Sequence, residues 1–274
     1  MRARIKLKAG VSCQLVSLSF FPNSTTINPR QQRACSDHEQ AKAAYHLVER
    51  RMDMTTVEAL NQRHSVRAFR SDPVPKETLA KILEAATRAP SWGNTQPWEI
   101  FVAAGDTLER LRQEFLTRHQ QGVAPATDLP RPQSWPPELQ QRMQENGARL
   151  FATAGIARDD QAARARHTQR NFEFFNAPVV VYLGMDRSLT PWSIFDLGML
   201  AQSLMLAAQD YGVDSMPAVN LVAYPDAIRS ELKLPENLAL IIGIALGYAN
   251  PDEAVNQHRS TRRPLEEVVR WYGI

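Results

Sequence analysis

The sequence predicts an α+β or α/β sandwich in which helices pack against a central β-sheet. Three apolar runs rich in β-branched residues predict strands, at WEIFVA (98–103), PVVVYLG (178–184) and ALIIGIALG (239–247). The last two are nearly continuous apolar strings, which is typical of central strands. Two segments with helical patterning interleave with these strands, and the length of 274 residues fits one large domain.

The first predicted helix begins near residue 79. Its apolar residues fall at i, i+3, i+4 and i+7, on one face of a helix: Leu79, Ile82, Leu83 and Ala86. Pro90 is expected to end it, because proline cannot continue a helix. The second predicted helix runs from about Phe195 to Tyr211 and meets Gly212, a suitable C-terminal residue. It is apolar nearly all round, as expected of a buried central helix.

Between about 117 and 170 this patterning gives way to a stretch rich in proline, glutamine and arginine. Loops of this length in a compact domain are usually functional or disordered. Trp135 and Phe151 argue against disorder. We therefore predict a helical insertion that covers a site.

The formal net charge of +3 depends on the first part of the chain. Residues 1–36 contain six basic residues and no acidic one, so residues 37–274 carry a charge of −3. That main part gives no electrostatic case for a nucleic-acid partner. Both cysteines, Cys13 and Cys35, also lie in the first part, which excludes a disulfide scaffold or thiolate metal site elsewhere and favours a cytoplasmic location.

Residues 1–53 are predicted to be a disordered leader or a mis-assigned start. Met54 and the TTVEALNQRHS that follows it resemble a natural beginning. A targeting segment is the alternative, because the first 36 residues are basic and contain serine. Their apolar run, 15–21, is too short to span a bilayer, so no membrane association is expected.

The common local signatures of catalysis are missing. The sequence contains no G-x-G-x-x-G, G-x-x-x-x-G-K-[ST], H-E-x-x-H or G-x-S-x-G motif, and its six histidines lack metal-ligand spacing. We predict neither a metal site nor a catalytic side chain. If the protein is an enzyme, either a bound organic cofactor supplies the chemistry or the catalytic residues are not locally encoded.

The segment RHSVRAF (63–69) is the first of three unusually polar connectors. Arg63, Ser65 and Arg67 alternate, and alternate residues of an extended chain point the same way. Two guanidinium groups and a hydroxyl could thus converge on an anion such as a phosphate. A solvated basic stretch is the alternative.

The second connector is APSWGNTQPWEIFV (89–102). It turns through proline, glycine and asparagine before a predicted strand. Asn94 and Gln96 carry amides that both donate and accept, as the edge of a heteroaromatic ring requires. An ordinary asparagine-containing turn with Trp98 in the core is the alternative.

The third connector is NQHRSTRRPLEEVVRW (256–271). It contains a cluster of arginines that includes Arg259 and Arg262. A solvated cationic face is the common meaning of such a cluster. It contributes to a phosphate site only if the fold brings it to Arg63 and Arg67.

In order and approximate spacing, these connectors resemble the motifs of the nitroreductase family of FMN enzymes. RHSVRAF resembles the family's Arg-x-Ser-x-Arg/Lys motif, APSWGNTQPW its Pro-Ser-x-x-Asn-x-Gln-Pro-Trp turn, and RSTRRPLEEVV its phosphate-binding segment. The resemblance covers about residues 55–274. It implies an α+β fold, a three-layer α-β-α sandwich with a mostly antiparallel central sheet, and an intertwined homodimer with FMN at the subunit interface.

The resemblance also implies which residues contact FMN. They are Arg63, His64, Ser65, Arg67, Pro90, Ser91, Asn94, Gln96, Pro217, Ala218, Val219, Asn220, Arg259 and Arg262. The turn at 90–94 would come from the partner subunit. The backbone of 217–220 would face flavin N5, although the glycine that many relatives carry here is missing. Either Val219 or Asn220 is then the N–H donor, and an ordinary helix-to-strand turn is the alternative.

The activity implied is ping-pong hydride transfer, in which NAD(P)H reduces FMN and leaves before a nitroaromatic or similar electron-poor molecule binds in the same place. One shared pocket explains the missing dinucleotide motif. Trp92, Trp135 and Phe174 are candidate walls for a flat substrate, with a core position favoured for each. Enone or quinone reduction, dehalogenation, flavin cleavage and a non-catalytic FMN-binding role remain alternatives.

Overall fold

The computed structural model describes residues 54–274, so the predicted leader at 1–53 lies outside the described residues. The helices are α1 (Thr56–Gln62), α2 (Lys76–Ala86), α3 (Gly105–Gln120), α4 (Pro137–Thr153), α5 (Gln161–Gln169), α6 (Pro191–Asp210), α7 (Pro225–Leu232) and α8 (Leu265–Val268). The strands are β1 (Glu99–Ala104), β2 (Val179–Asp186), β3 (Asp214–Ala218) and β4 (Leu238–Gly247). Short 3₁₀ helices occur at Trp92–Asn94, Phe174–Asn176, Val219–Val222 and Ala254–Gln257.

The four strands form one antiparallel sheet in the order β1-β2-β4-β3. The two strands predicted to be central, β2 and β4, are its middle strands. The sequence did not predict β3, which has only five residues. Aspartate, serine and proline are poor strand formers, and Pro217 is tolerated because β3 is the last strand of this ladder.

Helices cover both faces of the sheet. On β2, Val180 and Tyr182 face a core shared with α3 and α7, whereas Val181 and Leu183 face a core shared with α2 and α6. Because successive side chains of a strand point to opposite faces, burial on both faces requires an unbroken apolar run. The α+β three-layer sandwich with an antiparallel sheet is therefore confirmed.

Both predicted helices are present, with shifted ends. Helix α2 buries Leu79, Ile82 and Ala86 and ends at Ala86, four residues before Pro90. Helix α6 begins at Pro191, a favoured first helical residue because the missing N–H has no intrahelical partner there.

Helix α6 is buried on one side only, which contradicts the prediction of burial all round. Leu197, Leu200 and Leu204 are buried, but Trp192 and Phe195 are exposed. Its end agrees with the sequence, since Gly212 follows it with a φ of 72°, a left-handed value that glycine adopts without strain. An apolar face of α6 is thus left uncovered by the described part of the chain.

The stretch at 117–170 contains the end of α3 and all of α4 and α5. Neither α4 nor α5 has a fully buried residue. Within residues 54–274, no helix has the length and apolar character needed to cross a membrane.

Candidate functional site

The RHSVRAF segment leaves the end of α1 and lies beside β3. Ser65 forms a parallel bridge with Ser215, and the Val66 N–H donates to Ser215 O over 3.1 Å. The Arg67 guanidinium donates to Ser65 O over 3.0 Å. At its start, Arg63 caps α1. The segment is therefore fixed along the sheet by backbone bonds, as the extended prediction requires.

Asn256 joins this segment to the third connector. It is 5% exposed, and its Oδ1 accepts from the N–H groups of Arg67 (2.8 Å) and Ala68 (3.1 Å). Its Nδ2 donates to Ala68 O (2.7 Å) and Asn250 O (3.0 Å). The sequence analysis missed this residue. The sequence shows only an asparagine at the start of the third connector, and asparagine is equally typical of a solvated turn.

The four hydrogen bonds of Asn256, called the clamp below, bring the third connector to the first one. Arg259 folds back to donate to Asn256 O over 2.8 Å. Burial and then the positive charge of Arg262 lower the pKa of Arg63. Burial is the main reason that the pKa of His64 is lowered, and the positive charge of Arg259 adds to it. Arg262 therefore lies close enough to Arg63 for its charge to act on Arg63, and the phosphate site that they would share stays a prediction.

These cations have no acidic partner in the part of the chain that the structure describes. None of Arg63, Arg67, Arg259 and Arg262 forms an ion pair with a carboxylate within residues 54–274. Elsewhere Arg118, for example, pairs with both Glu114 and Asp226. A cluster of like charges is destabilising by itself, and a bound anion relieves the repulsion. The donor set therefore fits the phosphate of a cofactor such as FMN.

The second connector forms a tight turn tied to α6. Ser91 Oγ accepts from the Gln96 N–H over 2.9 Å, and Gln96 Nε2 donates to Asn94 O over 3.3 Å. Asn94 and Gln96 have positive φ values of 58° and 48°. The buried carboxylate of Asp196 accepts from the Trp92 N–H over 3.2 Å. Asp196 is a second residue that the sequence analysis missed.

Within the described residues, no hydrogen bond or ion pair joins the turn at 90–96 to the arginine cluster. The turn instead lines a groove of about 480 Å³. The groove is lined by Pro90, Ser91, Trp92, Trp192, Phe195, Asp196 and Met199. The structure thus separates the predicted site residues into two groups.

The core predictions for the aromatic residues have mixed outcomes. Trp98 is buried, as the alternative for that turn proposed, and Phe174 is fully buried. Trp92 and Trp135 are 63% and 45% exposed, so the core prediction is wrong for both. Trp92 packs edge-on against Trp192 with ring centroids 5.6 Å apart. Local sequence could not distinguish these tryptophans, because burial depends on what the fold places over them.

Pro217 and Ala218 end β3, and Val219 and Asn220 begin the 3₁₀ helix that follows. The first N–H groups of a helix have no acceptor within it, so these two donors are not used inside the helix. The helix lies directly on β4, because a Cβ at Gly243 would collide with Leu221 Cβ. Gly243 is the third residue that the sequence analysis missed, and it fixes the height of the helix above the sheet.

Comparison with known proteins agrees with this architecture. The model of the nitroreductase family matches residues 60–248. Nitroreductase NfnB of Mycolicibacterium smegmatis is 38% identical over 210 residues, which are 76% of this chain and 89% of that protein. A 4-nitrobenzoate reductase of Pseudomonas putida is 31% identical over 213 residues, 77% of this chain and 93% of its own length.

A solved structure extends the similarity to three dimensions. The crystal structure of the FMN-dependent nitroreductase NfnB from Mycobacterium smegmatis in complex with NADPH has a TM-score of 0.75 to this chain. The two are 36% identical, and the match covers 79% of this chain and 98% of that one. With the three connectors, the sheet and the family match in agreement, this chain belongs to the nitroreductase family.

Proposed function

We propose that this chain is an FMN-dependent oxidoreductase that uses NAD(P)H to reduce nitroaromatic or similar electron-poor molecules by a ping-pong mechanism. The observation that carries the proposal is the cluster of arginines held together by Asn256, a cluster that has no acidic partner among residues 54–274. The names of the relatives support the nitroaromatic substrate class. Bound FMN supplies the hydride chemistry, because it accepts hydride from a nicotinamide and delivers it to an acceptor.

In this proposal the first and third connectors hold the phosphate end of the cofactor. Arg63 and Arg262 bind the phosphate. Burial and then repulsion from Arg262 lower the pKa of Arg63, and the negative charge of the phosphate offsets both effects. Arg67 and Arg259 donate to backbone carbonyls within the two connectors and so fix their shape. His64 and Ser65, which lie between Arg63 and Arg67 in sequence, contact the flavin side of the phosphate.

The reactive edge of the flavin faces residues 217–220. The backbone N–H of either Val219 or Asn220 donates to flavin N5, since neither has an acceptor within its own helix. Fixed donors of this kind cost no reorganisation when charge develops on the ring. No side chain is assigned as a general acid or base, and residues 54–274 contain no group of three or more potential metal ligands.

We place the site at a homodimer interface, with Pro90, Ser91, Asn94 and Gln96 supplied by the second subunit. Two features support this. Within the described residues the turn makes no polar contact with the arginine cluster of its own chain, and the groove beside it exposes Trp92, Trp192 and Phe195. Large exposed apolar patches mark interaction surfaces. A monomer in light scattering at micromolar concentration would overturn the dimer.

We also propose that the flavin-binding domain comprises residues 54–274, with α4 and α5 as its helical insertion. A cytoplasmic location accompanies the proposal. It is supported by the lack of cysteine in residues 37–274, which suits a reducing compartment.

The first experiment is an absorbance spectrum of the purified protein, taken before and after anaerobic addition of NADPH or NADH and again after a nitroarene. Flavin bands that bleach with the nicotinamide and return with the nitroarene would support the proposal. A colourless protein that does not bind added FMN would refute it.

The phosphate assignment has its own test. We predict that Arg63→Ala combined with Arg262→Ala abolishes stoichiometric FMN binding while leaving the circular dichroism spectrum unchanged. Arg158→Ala, at an exposed arginine outside the site, is the single-charge control and should bind FMN normally. Full FMN occupancy in the double variant would exclude these two residues as the phosphate ligands.

A further inference from the structure

The loop between α3 and α4 (121–136) is anchored to the sheet at Asp128. The Leu240 N–H donates to the Asp128 carboxylate over 2.8 Å. The same carboxylate pairs with Arg187 at 2.8 Å and with Arg229. Only 7% of its side chain is exposed, so the ion pairs are little screened by solvent. The middle of this long loop therefore has a defined position.

From that anchor the loop runs beside the 3₁₀ helix at 219–222. The Ala126 N–H donates to Ala223 O over 2.9 Å, just beyond the end of the helix. At the start of the 3₁₀ helix, Arg131 Nη2 donates to Asn220 Oδ1 over 2.9 Å. The loop thus places a guanidinium beside the residue that, in the proposed function, faces the reactive edge of the flavin.

Among the residues that the structure describes, no carboxylate neutralises the charge of Arg131. Its partner, the Asn220 amide, is neutral, and no carboxylate within residues 54–274 lies at ion-pair distance from Arg131. Arg187 and Arg229, on either side of Asp128, are both paired. Arg131 is exposed, and a guanidinium with one donor in use retains others for a bidentate anion contact.

We infer that Arg131 binds the carboxylate of an aromatic acid at the acceptor end of the pocket, so that nitrobenzoates are favoured over uncharged nitroarenes. The inference rests on the proposed function for the position of the flavin. Exposed Val219 gives the aromatic ring an apolar surface next to the guanidinium. The 2′-phosphate of NADPH is a second anion with similar chemistry, but it lies at the far end of the dinucleotide from its reacting ring. A ring carboxylate lies within one benzene ring of the nitro group.

The test compares 4-nitrobenzoate with its methyl ester, which has the same nitro group and no charge. We expect Arg131→Gln to raise the KM for the acid by about tenfold, since a hydrogen bond to a charged group is lost. The KM for the ester should not change. Arg131→Lys keeps the charge but lacks the planar guanidinium, so its KM for the acid should lie between those of wild type and Arg131→Gln. Arg158→Gln removes the same charge elsewhere and should behave as wild type on both substrates.

A binding measurement makes the test independent of turnover. Benzoate is titrated into the oxidised, FMN-loaded protein in a calorimeter. The affinity for benzoate should be about tenfold weaker in Arg131→Gln and unchanged in Arg158→Gln. An equal rise in KM for the acid and the ester in Arg131→Gln would overturn the inference and assign Arg131 a structural role through Asn220. No change on either, or a loss seen with NADPH and not with NADH for both acceptors, would also overturn it.

The outcome is separable from the proposed function. A wild-type protein that reduces the ester with NAD(P)H retains the proposed activity whatever Arg131→Gln does. A wild-type protein that reduces neither substrate fails the proposed function, and the benzoate titration still decides the role of Arg131.

Discussion

Replacing Asn256 tests how the two halves of the arginine cluster are held together. Asn256→Ala removes four hydrogen bonds to Arg67, Ala68 and Asn250. The buried N–H of Ala68 would lose its partner, at a cost of about 1–3 kcal/mol. The other three bonds contribute about 0.5 kcal/mol each, because Ala68 O keeps the Asn250 N–H at 3.0 Å and the remaining groups can bind water. The total loss is about 3 kcal/mol, a large part of the 5–15 kcal/mol typical of a domain.

The assay is urea and thermal unfolding of the flavin-free protein, monitored by tryptophan fluorescence and by circular dichroism. A loss of about 3 kcal/mol corresponds to a Tm lower by roughly 6–12 °C for a domain of this size. Asn256→Asp keeps the acceptor and turns the donor into a second acceptor facing two carbonyls, so it should be about as harmful. Asn237→Ala, which removes one bond from an exposed asparagine, is the matched control and should cost less than about 1 kcal/mol.

FMN affinity gives the second readout. If Asn256 positions Arg67 and Arg259, the FMN dissociation constant should rise in Asn256→Ala under conditions where the variant is still folded. An unfolding free energy within 1 kcal/mol of wild type would refute the hydrogen-bond reasoning. A destabilised variant that binds FMN as tightly as wild type would refute the positioning role and leave Asn256 as part of the core alone.

Two further changes probe the 3₁₀ helix and the loop anchor. Gly243→Ala should lower both Tm and FMN affinity, because its Cβ collides with Leu221 beneath the Val219–Val222 helix; normal values of both in scanning fluorimetry and FMN titration would contradict that close packing. For Asp128, burial raises the pKa, but bonds from Leu240, Arg187 and Arg229 outweigh burial and lower it. Its stabilisation is therefore complete above the unfolded pKa of about 4 and is lost as the pH falls through the folded value. Asp128→Asn should be less stable near neutral pH, and its urea midpoint should fall less steeply than that of wild type from about pH 6 to about pH 3. Parallel pH profiles would show that Asp128 does not contribute to acid sensitivity.

Much of the fold was readable because it depends on local patterns. The apolar strings of β2 and β4 predicted central strands, and the spacing of Leu79, Ile82 and Ala86 predicted α2. Strand β3 was missed because its residues are poor strand formers, and it pairs only because β4 offers a long edge. The burial of α6 was overestimated, since an apolar helix has the same sequence whether its own chain or another surface covers it.

The candidate site was readable by residue type but not by arrangement. The alternation of Arg63, Ser65 and Arg67 indicated an anion site, and the family comparisons confirm the resemblance that named the cofactor class. Asn256 was unreadable because it acts on Ala68 across 188 positions of sequence. Asp196 and Trp92 are 104 positions apart, and Gly243 acts through a collision that exists only in three dimensions.

The clamp at Asn256 also bears on how the protein matures. Its four bonds join segments close to the two ends of the described chain, and β4 is already complete at residue 247. Contacts between such distant segments form late, because the entropy cost of closing a long loop comes before the contacts can stabilise the chain. All four strands of the sheet are therefore synthesised before Asn256, which in the proposed function helps to form the phosphate site. If the proposed function holds, flavin binding requires residues that are synthesised after the sheet, and cleavage between 247 and 256 should weaken FMN binding.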